Sequence, residues 1–451
     1  MAQQIIKSLF TTGSNNVGQL GISSPISAIN KPVNCIYRDL DIRLLTTDIS
    51  QVACGQYHTA VLLKNGRVIT AGYNNYGQLG IGFEKNIPSE ERQNFLGYVY
   101  GIGRGSGVIQ VACGDYHTAI LFKDGTVKTF GYNEFGQLGN GTGIYIHRTP
   151  VDVTNIGSNS GAIQVACGGV HTAVLFEDGT VKTFGDNRHG QLGNGTTTES
   201  RIPINVTNIG SNSGAIQVAC GGGHTAVLFE NGVVITFGWN KYGQLGYDPV
   251  PFTIIKNGVP IPPRNEFPPF EKTPVKVIDI NPGSGAIQVA CGGVHTAVLF
   301  KNGIVKTFGW NKYGQLGIRT IPLIIETPSE STLLNRDAFL RPEIVSVNQT
   351  ERPVTDVIQV ACGENHTALL FRDGSFKTFG RNNHGQLGIG NYKNKSIPTT
   401  VLGFNKNAKG RQVACGGSHT AFIDEYIPNN ISKFYITTDK AGNKVDVIRY
   451  K

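Results

Sequence analysis

The sequence predicts an all-β chain, a closed seven-bladed β-propeller, on three observations. The decapeptide Gln-Val-Ala-Cys-Gly-x-x-His-Thr-Ala, or a near copy, occurs seven times, its cysteine falling at Cys54, Cys113, Cys167, Cys220, Cys291, Cys362 and Cys415. Gly-Gln-Leu-Gly also occurs seven times, beginning at Gly18, Gly77, Gly136, Gly190, Gly243, Gly314 and Gly385. A unit of 53 to 71 residues with a strand–turn–strand pattern is the signature of a propeller blade. Order is the third observation. The chain opens on a Gly-Gln-Leu-Gly block with no cysteine block before it, and its last cysteine block, Gln412–Phe422, has no Gly-Gln-Leu-Gly after it. Seven whole blades therefore require residues 8–21 to complete the blade begun at 412–422, which removes the open sheet edges.

Each element of a blade has a local cause. In the unit Ile109–Gly139, Val111-Ala-Cys113 leads into Gly114-Asp-Tyr-His117, where the glycine permits a tight bend. Thr118-Ala-Ile-Leu-Phe122 is an apolar run of strand length, and Thr126-Val-Lys-Thr-Phe130 returns beside it. Between them Lys123-Asp124-Gly125 reads as a two-residue type I′ hairpin, with positive φ at both Asp and Gly. Gly131–Gly136 is a loop that Gln137-Leu138-Gly139 ends. A fourth short strand is expected around Pro150-Val151 and its equivalents, such as Pro274-Val275. On this reading the propeller occupies residues 1–422 and residues 423–451 form a C-terminal extension. The extension is either an added hairpin or an arm that orders on binding.

Composition narrows the class. A chain of 451 residues ordinarily divides into domains, but a closed ring buries each blade against its neighbours. No apolar run approaches the roughly 18 residues of a membrane span, and the first residues lack the core of a signal peptide, so an intracellular site is expected. Seven of the eight cysteines share one repeat position and no Cys-x-x-Cys occurs. They read as small buried thiols in the core, with no metal and no cofactor implied. The net charge is +9. The two 41-residue inter-blade segments, Tyr247–Ile287 and Ile318–Ile358, carry four basic against four acidic and four against six residues, so the positive excess lies elsewhere. It is compatible with attraction to nucleic acid or an acidic surface, although no basic arm is present.

The pattern Val-Ala-Cys-Gly-x-x-His-Thr-Ala, then Asp-Gly-x-Val-x-x-Phe-Gly-x-Asn-x-x-Gly-Gln-Leu-Gly, resembles the regulator of chromosome condensation (RCC1-like) repeat from about Ser8 to Phe422. The resemblance implies a seven-bladed propeller closed by joining the termini in one blade. It also implies two activities to test against the residues. The family's Ran exchange factors carry acidic residues immediately before the repeat histidine, where this chain has Tyr57, Tyr116, Val170, Gly223, Val294, Asn365 and Ser418. Its light-sensing members carry Trp in such turns, and this chain has none there.

Seven identical histidines, His58, His117, His171, His224, His295, His366 and His419, read as structural, each bonded to nearby backbone, because chemistry needs a few unlike groups in one place. No nucleophile–base pair or paired-carboxylate motif stands out, so no enzyme is expected. Function is sought where blades differ. One such place is the pair of residues before each histidine, expected at one end of the ring, including Tyr57, Asp115, Tyr116 and Glu364. A second follows Phe-Gly, where two adjacent blades carry Trp239, Lys241, Tyr242 and Trp310, Lys312, Tyr313, each just before a 41-residue segment. Aromatic residues beside lysine suit a partner interface. The other reading is that Trp covers apolar surface and that Phe-Gly-Trp-Asn-Lys-Tyr-Gly-Gln-Leu-Gly was copied whole. Lys128, Lys182, Lys306 and Lys377 share a strand position and form either a phosphate-binding arc or solvated strand surface. The leading expectation is an interaction scaffold for a protein partner. Nucleotide exchange on a small GTPase and binding to chromatin or other nucleic acid are the alternatives.

Overall fold

The computed structural model describes residues 6–22, 27–35, 49–82, 97–247, 254–256, 259–261, 269–318, 338–346, 353–404, 409–426, 434–438 and 444–448. Seven four-stranded antiparallel sheets form the blades. Six of them take their strands in chain order, as in Ala162–Cys167, His171–Phe176, Val181–Gly185 and Ser200–Asn205. The fourth strand carries the Pro-Val element, as at Ile146–Asp152 and Phe270–Lys276. The seventh sheet closes the ring. Its inner strands Lys409–Cys415 and His419–Tyr426 come from the end of the chain, and its outer strands Ile6–Ser14 and Ala28–Asn34 from the beginning. The joint is a continuous antiparallel ladder from Ile6↔Tyr426 to Gly13↔His419. In the C-terminal extension, Phe434–Thr438 pairs with Lys444–Ile448 as a hairpin. Ile254–Lys256 and Val259–Ile261 pair likewise within the first long segment. Most of the second long segment, residues 319–337 and 347–352, lies outside the described residues. Among the described residues no helix is long and apolar enough to cross a membrane.

The Asp-Gly hairpins differ from the two-residue expectation. Phe122 N–H donates to Thr126 O and Gly125 N–H to Phe122 O, so three residues form the loop. Gly125 has φ 87°, whereas Asp124 is not among the residues with positive φ. This is a type I turn followed by a left-handed glycine. The reason lies in the Asp124 side chain, whose Oδ1 accepts the Thr126 N–H at 2.9 Å and so holds the aspartate in an ordinary conformation.

Blades are fastened to each other by two rings of side-chain bonds. On the innermost strands, each Gln of Gln-Val-Ala-Cys accepts a backbone N–H from the next blade. Gln51 Oε1 takes the Val111 N–H at 2.8 Å, and Gln412 takes the Val52 N–H at 2.9 Å across the closure. The second ring uses the repeat histidines. Their partner is not backbone, as expected above, but the threonine of the next blade's His-Thr-Ala. His58 Nε2 lies 2.8 Å from Thr118 Oγ1, and His419 Nε2 lies 2.9 Å from Thr59 Oγ1. Neither ring is visible within one repeat, because each bond reaches a blade dozens of residues away.

Apolar packing fills the space between blades. Phe130, Phe184, Phe237, Phe308, Phe379 and Phe422 are fully buried. In five blades the last glycine of Gly-Gln-Leu-Gly lies flat against the next blade's phenylalanine. A Cβ on Gly193, whose φ is 64°, would sit 2.7 Å from the Phe237 ring. Gly193→Ala is therefore expected to cost about 1–3 kcal/mol, read as a lowered denaturation midpoint. An unchanged midpoint would contradict this packing.

Candidate functional site at the channel mouth

The innermost strands surround a central channel. The seven repeat cysteines lie on its wall and are half-buried rather than enclosed in the core as expected. The difference follows from their place on the innermost strand, one side of which faces the channel. Six of their sulfurs point to the preceding blade's alanine carbonyl, 3.6 Å away for Cys167 and 3.7 Å for Cys113. Burial pushes the thiols up, to about 12 for Cys362, so they stay protonated. Among the described residues no group of three or more His, Cys, Asp or Glu is placed to hold a metal ion.

Where the cysteine strand turns back into the histidine strand, the channel opens into a cavity of about 680 Å³. One turn from every blade meets there, joined by a second loop from four of them. The first is the turn before the histidine, closed by a bond from the Gly114 N–H to His117 O at 2.9 Å and its equivalents. The second is the Phe-Gly-x-Asn-x-x-Gly-Gln-Leu-Gly loop. The repeated Asn and Gln lock it: Asn240 Oδ1 accepts the Leu245 N–H at 3.1 Å and Gln244 Oε1 accepts the Tyr242 N–H at 3.0 Å. Asn311 and Gln315 do the same at 2.9 and 3.0 Å. The invariable atoms thus fix the backbone, and the residues between them are displayed.

The structure brings most of the candidate residues to this one mouth. Trp239, Tyr242, Trp310, Tyr313, Asp115 and Glu364 all line the cavity. Both tryptophans are half-buried, while Lys241 and Lys312 are exposed at the rim. The rings interlock across the blade boundary, with Trp239–Tyr242 at 5.5 Å, Tyr242–Trp310 at 5.3 Å and Trp310–Tyr313 at 5.5 Å. Lys312 lies over Trp310 and Lys241 over Tyr242. Tyr57 and Tyr116 stack on each other at 5.6 Å in the same turns of neighbouring blades. Burial, then Tyr57, pushes the Tyr116 phenol up.

Several members of the site escape a repeat-by-repeat reading. The residue directly before Gly-Gln-Leu-Gly is aromatic or histidine in six blades: Tyr76, Phe135, His189, Tyr242, Tyr313 and His384. That column was the available signal. Tyr76 contacts Tyr116 at 5.1 Å and Tyr132 at 4.8 Å, and Tyr132 contacts Phe135. Arg188 lies 4.8 Å over Phe135 and is held by Asp186 at 2.9 Å. His189 stacks on Trp239 at 5.4 Å, and Arg381 covers Tyr313 at 5.1 Å. The rings form two groups, Tyr57 to Phe135 over two blades and His189 to Tyr313 over three; Arg188 bridges the two over Phe135, and Arg381 adds a sixth blade over Tyr313. The series lapses at the closing blade, where Ser14, Val17 and Ser418 occupy the corresponding positions.

The four lysines are elsewhere. Lys128, Lys182, Lys306 and Lys377 pair near the hairpin end of their strands, as Lys182 does opposite Val174, away from the mouth. Lys128 is bonded to Asp152 at 2.6 Å, and the other three lie over Phe176, Phe300 and Phe371. They are not joined to the aromatic residues. The hairpin end has its own exposed feature, a row of Ile109, Ile163, Ile216, Ile287 and Ile358, each 44 to 51% exposed.

Electrostatics single out the throat of the mouth. Glu364 Oε2 accepts from Gln56 Nε2 at 2.9 Å. Burial, reinforced by Glu364, pushes the Asp115 carboxyl up to about 7. Burial lowers His189.

Comparison with known proteins agrees with this architecture. The RCC1-like domain matches residues 91–427, and the regulator of chromosome condensation (RCC1) repeat matches residues 8–62 and 49–78. The chain is 29% identical over 375 residues to the ultraviolet-B receptor UVR8 of Arabidopsis thaliana, covering 83% of this chain and 74% of that protein. It is 33% identical over 347 residues to the human X-linked retinitis pigmentosa GTPase regulator, covering 69% of this chain but 32% of that protein. The chain thus matches about a third of the regulator's length. Among solved structures, Prp20p from Saccharomyces cerevisiae superposes with a TM-score of 0.72 at 19% identity, over 95% of this chain and 93% of that one.

Proposed function

This chain belongs to the RCC1-like domain family, and on that premise we propose that it is a non-enzymatic scaffold whose channel-mouth face receives a protein partner. One observation carries the reading. Half-buried rings of three successive blades, from His189 to Tyr313, touch in one chain along the cavity, with Lys241 and Lys312 exposed beside them. Large rigid aromatics flanked by cations are the residues that dominate interface energetics. The repeated Asn and Gln bonds hold their loops before any partner arrives, which lowers the entropy lost on binding. The duplication reading explains why two loops are identical, but not why the ring contacts extend to the unlike loop at His189.

The test uses the immobilised protein and the double substitution Trp239→Ala/Trp310→Ala. Partner capture from extracts of the source cell is expected to fall by at least about tenfold with far-ultraviolet circular dichroism unchanged. Equal capture by both proteins would remove the patch from consideration.

Guanine-nucleotide exchange is the second reading. Its support is the relative named a GTPase regulator and the fold shared with Prp20p, a protein that binds Gsp1p and histones. Against it, no residue directly before a repeat histidine is acidic. Catalytic amounts of the protein should speed nucleotide release from a small GTPase if this reading holds. Inert behaviour across a panel of GTPases would dispose of it.

A further inference from the structure

We infer that the channel mouth takes one cationic side chain, a lysine or arginine presented by the partner, between its tryptophan wall and the carboxylates of Asp115 and Glu364. The inference rests on the scaffold reading for the existence of a partner, but the pocket itself is argued from its own residues.

Its volume, about 680 Å³, is that of a small-molecule site rather than a flat contact. Of the acids on its lining, Asp186 is engaged by Arg188 and by Gln191 Nε2 at 2.9 Å, and Glu364 by Gln56. Asp115 has neither a hydrogen bond nor an ion pair from its carboxylate among the described residues, yet it lines the cavity. A half-buried carboxylate without a partner is disfavoured, and an arriving cation relieves that cost. The high position of its titration, about 7, reflects the same strain, with Glu364 as the second contributor.

The aromatic part of the same lining suits a cation too. A quaternary or primary ammonium is attracted to the faces of Trp and Tyr. The protein already uses these rings that way, placing Lys312 over Trp310 and Arg381 over Tyr313. The positive groups at the mouth are engaged or turned outward: Arg188 by Asp186 and Phe135, Arg381 by Tyr313, while Lys241 and Lys312 lie over Tyr242 and Trp310 and are exposed. His189 is held toward its neutral form by burial. An incoming cation therefore meets Asp115 as the unpaired charge, whereas an anion would meet two carboxylates.

The only two tryptophans of the chain stand at this site, so intrinsic fluorescence reads it directly. The probe is the pentapeptide Gly-Gly-Lys-Gly-Gly with blocked ends, compared with the same peptide acetylated on the lysine. A saturable change in tryptophan emission is expected from the lysine peptide and not from the acetylated one. Asp115→Asn/Glu364→Gln should weaken it by at least about tenfold. Glu364→Gln alone, which keeps an acceptor for Gln56, should weaken it in the same direction, and circular dichroism confirms the fold of each variant. An equal response to both peptides, or unaltered binding by folded variants, overturns the inference. If the peptide fails while Trp239→Ala/Trp310→Ala still loses the partner, the pocket assignment alone is wrong. If capture is unaffected while the peptide binds, the scaffold reading is wrong and the pocket stands.

Discussion

Acidification from pH 7 toward pH 5 is expected to unfold this propeller in a steep transition that takes up several protons. The cause is the ring of seven histidines, all fully buried. Each threonine in the ring donates its one hydroxyl hydrogen to a glutamine carbonyl of a neighbouring loop, as Thr118 does to Gln78 O at 2.8 Å and Thr59 to Gln19 O at 2.7 Å. Having spent that hydrogen, the hydroxyl can only accept from histidine, so Nε2 carries the proton. All seven Nδ1 atoms are buried without a hydrogen-bond partner. Protonating one would create a buried charge with no acceptor. Burial accordingly lowers His58, His117, His224, His295 and His366 to about 3, and His171 and His419 to about 4, from 6.5.

Because the folded values lie below the unfolded one, the unfolded chain binds more protons between pH 6.5 and about 3 to 4. Stability is complete above pH 6.5 and falls as pH drops through that window. Asp115 and Asp424 act oppositely. Burial raises both to about 7 from 3.8, so they stabilise the fold as pH falls through the same range. Seven groups outweigh two. Each fully shifted group is worth about 1.4 kcal/mol per pH unit, so two units below 6.5 the net loss is about 14 kcal/mol, near the top of the roughly 5–15 kcal/mol of a typical fold. Denaturant midpoints measured at half-unit steps from pH 7.5 to 5 should fall ever more steeply, and one His→Gln substitution should reduce the proton count by about one. A midpoint that is flat or rises toward pH 5 would refute the neutral ring.

The histidine ring marks the limit of what a repeat sequence can disclose. Blade number, four strands per blade and the closing blade were readable because periodicity, apolar runs and the order of two motifs report them directly. The hairpin was misjudged because Asp-Gly serves both a type I′ turn and a three-residue loop, and only the Asp124 side-chain bond decides. The partner of His58 was misjudged because Thr118 belongs to another blade, and no single repeat contains both. The site shows the same limit. Trp239 and Asp115 were each visible as departures from their repeat. That they share one cavity follows only from placing two loops at the same end of the ring. His189 and Arg381 went unread because a histidine or an arginine is unremarkable until a ring from the next blade lies against it.

Removal of residues 1–35 is expected to abolish the soluble monomer, and a peptide of residues 1–35 supplied in trans is expected to restore it. The deletion takes two of the four strands from the closing blade and leaves His419–Tyr426 as a naked edge. It also strips Leu9, Leu20 and Ile22 from a core that contains Ile49, Val61 and Ile423. At about 1.5–3 kcal/mol for each large side chain, that loss alone is comparable with the whole stability of a domain. The hydrogen bond from Thr59 to Gln19 O disappears with it, leaving the His419–Thr59 bond across the seam without its second anchor. An exposed, unpaired strand of this length invites pairing with other copies, so aggregates rather than a clean unfolded monomer should appear on size-exclusion chromatography. Rescue in trans separates loss of the closing strands from a general folding failure, since the peptide restores only the ladder and its core. A deletion variant that stays monomeric with the parent's denaturation midpoint would mean that the ring does not depend on its closure.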